Sequence, residues 1–136
     1  MKGSYLLVFS LPNAARIQVG KLGNFPLKNG WYVYVGSAMN GLEQRIQRHL
    51  RTQKKIHWHI DYILPVAENI EVFYKESPTK EECNIARILE QQLNSIPGFG
   101  CSDCFCHSHL FWGSKHAIMS CVHQLNMTSY HGDANA

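Results

Sequence analysis

Long apolar runs are missing from this sequence. Nowhere in its 136 residues does a stretch approach the ~20 consecutive apolar residues that a membrane-spanning helix requires. Internal repeats and low-complexity tracts are missing as well, so the length reads as one domain with a real core. Charge is sparse: 17% of residues are charged and the net charge is only +3. That is the composition of an ordinary globular chain, and a weak global signal for a polyanionic partner. An even cysteine set is lacking too. Cysteines stand at 83, 101, 104, 106 and 121, with three of the five inside six positions. This suits reduced thiols or a metal cluster better than a disulfide framework, and predicts a soluble, cytoplasmic protein. Lys2 followed by "YLLVFSL" has one positive charge and an apolar run at the lower length limit for a secretory signal, so it reads as a strand of the mature chain.

What is there is strongly patterned. Residues 5–11 (YLLVFSL) and 31–37 (WYVYVGS) are rich in strand formers. The Gly- and Pro-punctuated segment between them holds one short candidate strand, RIQV. Asn40 with Glu43 makes a capping-box pattern ahead of Leu42, Ile46 and Leu50, predicting a helix over 41–52 that buries those three residues. Arg45 and His49 then share a neighbouring stripe and can reach one target together, while Arg48 and Arg51 point elsewhere. IHWHIDYILPVA (56–67) fits a short helix stopped at Pro65, although His57, His59 and Asp61 alternate as on a strand. NIEVFYKE (69–76) is a third strand, with Val72 and Tyr74 on one face and Phe73 on the other. A second helix follows in SPTKEECNIARILEQQLNS, capped by Ser77 or Thr79, with Ile85, Ile88, Leu89 and Leu93 as apolar positions. The chain closes with a Cys/His-rich turn, one or two short strands, and a frayed tail.

Locally the charge is less even. Arg45, Arg48, Arg51, Lys54 and Lys55 fall within eleven positions, the footprint of a surface that meets a phosphate backbone; the alternative is a solvated helix face.

"KGSY" at 2–5, "YVG" at 34–36, "SAMNGLEQRIQRH" at 37–49 and an acidic helix start near residue 82 occur in an order that resembles the GIY-YIG nuclease superfamily. The branch most similar is the Uri type, named for excision-repair and intron-encoded endonucleases. The resemblance runs from Gly3 to about residue 112. It implies a compact α/β (α+β) domain with a small, mainly antiparallel three-stranded central sheet flanked by helices. It implies DNA phosphodiester hydrolysis, with Tyr5, Tyr34, Arg45 and His49 catalytic and Glu82 holding one Mg²⁺ or Mn²⁺. In that scheme one tyrosine, not specified, deprotonates water, Arg45 binds the scissile phosphate, and Gly36 lets backbone approach the phosphate. Ser37 stands where some relatives place Lys, and Asn40-Gly41 is a one-residue extension. The expected nucleic-acid contacts are Gly36 and Ser37 together with Arg48, Arg51, Lys54 and Lys55 of the basic run.

The chemistry is coherent without the family, since phosphodiester cleavage needs an activated water, cationic charge on the phosphate and a stabilised leaving oxygen. Each residue also has a plainer role open to it. Tyr5 and Tyr34 suit strand aromatics with surface hydroxyls, Arg45 a surface charge, and Thr79 with Glu82 a capping box. Glu81 is the competing carboxylate for the metal.

His57, His59 and Asp61 form an accessory cluster that could touch DNA, position catalytic groups or the metal, or anchor a helix. Cys101, Cys104, Cys106 and His109 are a candidate zinc set, against small thiols packing a tight turn. The expected organisation is a nuclease-like domain over 1–127, with a Cys/His-rich extension at 101–125, and a disordered tail at 128–136. DNA is the expected partner, RNA stays open, and no membrane is expected. Two other readings remain: a non-catalytic nucleic-acid-binding or scaffolding module of the same fold, and a small zinc-binding interaction domain.

Overall fold

A computed structural model describes residues 1–100 and 108–131. Eight strands and three helices follow the order β1 (Gly3–Leu11), β2 (Ala15–Val19), β3 (Gly23–Leu27), β4 (Gly30–Ala38), α1 (Leu42–Leu50), β5 (Glu68–Glu76), α2 (Glu82–Gln92), β6 (Asn94–Ser95), β7 (Leu110–Gly113), α3 (Lys115–Gln124) and β8 (Thr128–Tyr130). Two 3₁₀ turns, His59–Tyr62 and Leu64–Val66, precede β5.

The architecture is α+β, with helices on an antiparallel sheet. The three strands read from the sequence form its centre, but the sheet has six, in the order β6-β7-β4-β1-β5-β8. β6, β7 and β8 are two to four residues long, too short for a readable alternation; pairing to an existing sheet makes them strands. Thr128–Tyr130, assigned to a frayed tail, is therefore β8, docked on β5 through Val72↔Tyr130 and Tyr74↔Thr128. α3 was also missed; Ser114 caps it by accepting from the Ala117 amide at 3.0 Å.

β1 is buried over nearly its whole length, so it reads as an apolar run with no alternation. Its odd residues Tyr5, Leu7 and Phe9 join Tyr32 and Tyr34 of β4 in a cluster covered by Leu42 and Ile46 of α1 and by Ile60 and Ile63. Its even residues Leu6 and Val8 join Val33, Val35 and Phe73 under Ile85 and Leu89 of α2 and Ile118 and Val122 of α3. Val72 and Phe73 fall on opposite faces as their spacing requires. RIQV becomes β2, paired only with β3 in a separate two-stranded hairpin.

Both capping expectations fail. Gly41, at φ 77°, occupies the α1 N-cap in place of Asn40, and the Leu42 amide donates to the Met1 carbonyl at 3.0 Å. α2 starts after Glu81 without a side-chain cap, because Thr79 instead closes a turn with Ser77. On α1 the buried set is Leu42, Ile46 and His49, and Leu50 is exposed. On α2 Ala86 is buried and Ile88 lies at the surface. Pro65, expected to stop the 56–67 helix, sits inside the second 3₁₀ turn, where a missing amide costs nothing. Among the described residues no helix is long and apolar enough to cross a membrane.

Candidate active site

β1 and β4 pair in the register Tyr5↔Gly36, which decides the geometry at the centre of the site. A methyl group at Gly36 would come within 2.5 Å of the Tyr5 ring. The glycine therefore makes room for the phenol, a different requirement from the approach to phosphate expected of it. Tyr5 and Tyr34 are 2% and 7% exposed, so neither is a strand aromatic with its hydroxyl in bulk water. Both line a cleft of about 470 Å³ at the end of the sheet, whose walls also include Gly36, Ser37, Arg45, His59, Glu82 and His109.

Arg45 is oriented twice. Its guanidinium carbon lies 4.2 Å from the centre of the Trp58 ring, and its Nη1 donates to the Ser37 carbonyl at 3.1 Å. The Ser37 hydroxyl is buried without a partner among the described residues. Across the cleft, the Glu82 carboxylate, relieved of capping duty, pairs with Lys80 Nζ at 3.2 Å; the Glu82 side chain is 14% exposed and that of Lys80 is 59% exposed. Lys80 and Trp58 were not singled out in the sequence. A Lys two residues before the acidic helix start, and a Trp between two histidines, are the only traces they leave there.

Behind the tyrosines lies a buried polar chain. Tyr5 Oη and His49 Nε2 are 2.7 Å apart. His49 Nδ1 lies 3.8 Å from Asp61 Oδ1, beyond hydrogen-bond range. Asp61 is fully buried and accepts from the His57 and Trp58 amides at 2.9 and 3.0 Å and from both Arg48 terminal nitrogens at 3.0 and 3.3 Å. Burial alone would raise its pKa, but these donors outweigh it and hold the carboxyl below its ordinary value. Of the roles open to the His57, His59 and Asp61 cluster, Asp61 thus anchors the 3₁₀ turn and faces a catalytic candidate, while His57 and His59 line the cleft.

Burial lowers the pKa of His49 from 6.5 to about 4; Asp61 opposes the shift, and the charges of Lys54, Arg48 and Arg45 add to it. At neutral pH His49 is therefore uncharged, and because its Nδ1 faces the Asp61 carboxylate at 3.8 Å the Nδ1–H tautomer is favoured, which leaves Nε2 to accept from the Tyr5 hydroxyl. Burial holds both phenols above their ordinary range, only partly offset at each by the nearby Arg45 charge. Linkage then has a definite sign. The unfolded chain protonates this histidine near pH 6.5 and the folded chain only near pH 4, so stability falls as pH drops through that window. The expected loss is about 3 kcal/mol. His109, also depressed by burial, acts in the same direction, so comparing wild type with His49→Gln isolates His49. Urea unfolding at several pH values should show a flatter dependence in the variant; an equal slope would mean that His49 titrates normally.

Not every basic residue faces the cleft. Arg48 is tied to Asp61 and lies 4.5 Å from the Trp58 ring centre. Lys54 donates to the His49 and Arg51 carbonyls at 2.7 Å each, closing the C-terminus of α1. These two, assigned to nucleic-acid contact, have intramolecular duties; Arg51 and Lys55 are exposed.

Of the candidate zinc set, Cys101, Cys104 and Cys106 lie outside the described residues. His109 is buried on the cleft wall, its amide donating to the Phe99 carbonyl and its carbonyl accepting from the Val35 amide. Among the described residues no three His, Cys, Asp or Glu side chains gather as a metal site. Cys121 is a free, buried thiol, whereas Cys83 is disulfide-bonded, against the expectation of a reduced set. Glu82 offers a single hard oxygen donor on the wall of an open cleft. That fits Mg²⁺ or Mn²⁺, which complete their shells with water and substrate phosphate oxygens.

No curated protein and no solved structure matches the chain. Residues 4–130 match the family described as "Domain of unknown function DUF123", and the chain belongs to that family.

Proposed function

We propose that the chain is a metal-dependent endonuclease of GIY-YIG type that hydrolyses DNA phosphodiester bonds. The observation that carries this reading is the convergence of Tyr5, Tyr34, Arg45 and Glu82 on one cleft from four separate elements, with His49 bonded to Tyr5 from behind.

In this reading Arg45, braced by Trp58 and the Ser37 carbonyl, binds the scissile phosphate and balances the charge on its non-bridging oxygens. Tyr5 takes the proton of the attacking water as its own phenolic proton passes to His49 Nε2. The Asp61 carboxylate, 3.8 Å from Nδ1, stabilises the imidazolium so formed, as a buried acid does behind a catalytic histidine. Tyr34 flanks the reacting phosphate on the adjoining strand. Glu82 would hold the divalent cation, whose chemistry there is to neutralise charge on the leaving oxygen. Lys80 would have to release Glu82 to admit it.

The test is cleavage of labelled single-stranded, duplex and branched DNA at low salt with Mg²⁺, Mn²⁺ or chelator. Glu82→Gln should lower the rate by about 10³, the equivalent of several kcal/mol of lost transition-state stabilisation, and should lose Mn²⁺ binding in an EPR titration. Tyr34→Phe should also cut poorly while staying folded. DNA binding with no turnover under any metal would replace the enzyme by a non-catalytic binding module.

A further inference from the structure

Charge is distributed along this chain with a strong bias. Glu43 is the only acidic residue among the first sixty, while nine of the 13 Lys and Arg residues fall there. Four of those nine precede α1, and three of them, Arg16, Lys21 and Lys28, belong to the β1–β4 connection. That connection is a built object. β2 and β3 pair from Ala15↔Leu27 to Val19↔Gly23, and Ile17, Val19, Phe25 and Leu27 pack onto the same core cluster as Leu42 and Ile46 of α1. The hairpin and the basic helix thus share one face of the sheet. α2, with Glu81, Glu82 and Glu90 at or near it, packs on the other.

The hairpin also adjoins the cleft. Phe25 meets Phe99 edge-on at 5.5 Å, and Phe99 meets Tyr34 at 6.3 Å and His59 at 5.9 Å, so one ring separates the hairpin from two residues of the cleft wall. Its outer face carries Arg16, Gln18, Asn24 and Pro26, all exposed, with Lys21 at the turn. At its root Arg16 and Lys28 line a groove of about 430 Å³. Each strand is five residues long, about 17 Å at ~3.4 Å per residue, which matches the rise of about five base pairs along the axis of B-DNA.

From this we infer that the β2–β3 hairpin is a second nucleic-acid contact surface, on which Arg16, Lys21 and Lys28 grip the backbone of duplex DNA several phosphates away from the scissile one. The inference rests on the nuclease reading and deepens it. Ile17, Val19, Phe25 and Leu27 anchor the inner face of the hairpin on the core, so its cations are carried on a packed element. Contacts of this kind add affinity irrespective of base sequence and carry a steep dependence on salt.

The experiment is equilibrium binding of a fluorescent DNA duplex by the full chain, in chelator so that nothing is cut, over a range of salt concentrations. The triple variant Arg16→Gln, Lys21→Gln, Lys28→Gln should raise Kd about tenfold or more at ~0.1 M salt and make the slope of log K against log salt shallower by about 2.7, at ~0.9 per phosphate contact. The variant Lys75→Gln, Arg87→Gln, Lys115→Gln removes the same charge from β5, α2 and α3 and should change Kd about twofold at most. Exchanging Arg16→Lys, Lys21→Arg and Lys28→Arg should preserve the wild-type slope. A hairpin variant that loses no more than the β5/α2/α3 variant, or an exchange variant that loses as much as the glutamine one, overturns the inference. Metal-dependent cutting by the same wild-type protein would then leave the nuclease reading standing. Wild-type protein that neither binds nor cuts removes both.

Discussion

Asp61→Ala should destabilise the protein by about 3–5 kcal/mol, the cost of removing one partner from a buried charged network. The carboxylate is fully buried and accepts from two backbone amides and two guanidinium nitrogens. Alanine would leave the His57 and Trp58 amides unsatisfied and strand Arg48, whose side chain is only 20% exposed. The loss would spread, because Arg48 and Arg45 both stack on Trp58 and the 3₁₀ turn at His59 forms one side of the cleft. Domains of this kind have total stabilities of about 5–15 kcal/mol, so a large share of the fold is at stake. Asp61→Asn keeps the shape and one acceptor oxygen and should cost less. Urea unfolding at pH 7 decides: a loss below about 1 kcal/mol for the alanine variant would mean that water replaces the carboxylate and that Asp61 is no hub.

Tyr5→Phe should lower the cleavage rate by about 10²–10⁴, the span for removing a positioned proton-transfer group. Its cost in stability should be only about 1 kcal/mol, since the ring stays packed and one hydrogen bond goes. His49→Gln should fall in the same range, for Nε2 is the acceptor that lets the phenol work as a base. Groups that act as one unit lose activity non-additively, so the double variant should be little worse than the poorer single one. Single-turnover rates in excess enzyme separate this chemistry from binding. If Tyr5→Phe cuts at the wild-type rate and Tyr34→Phe does not, the base is Tyr34 and the Tyr5–His49 pair is structural.

Much of this was legible before any coordinates. The three long strands and α1 and α2 announced themselves because β-rich runs of seven to nine residues and a 3.6-residue apolar period survive in one dimension. Tyr5, Tyr34, Arg45 and Glu82 were named through the family resemblance, and all four line one cleft. Local pattern failed where a neighbour decided the outcome. Asn40 and Thr79 looked like caps, but the chain entered each helix from another direction. His49 was expected to reach one target together with Arg45, and packing against Tyr5 made it a buried, neutral partner of that phenol. Leu50, apolar and in phase, was left exposed while His49 took the third buried position of the helix.

The sequence by itself determined the secondary elements that carry their own periodicity, the chemical types available to the site, and the concentration of positive charge in the first sixty residues. Only the tertiary structure decided the six-strand sheet, whose short edge strands owe their conformation to hydrogen bonds with strands distant in sequence. It alone decided that Gly36 exists for the Tyr5 ring, that Lys80 faces Glu82, and that Asp61 and His49 lie together under the tyrosines. Those are relations between residues far apart in the chain, and register, burial and through-space charge exist only once the strands have paired.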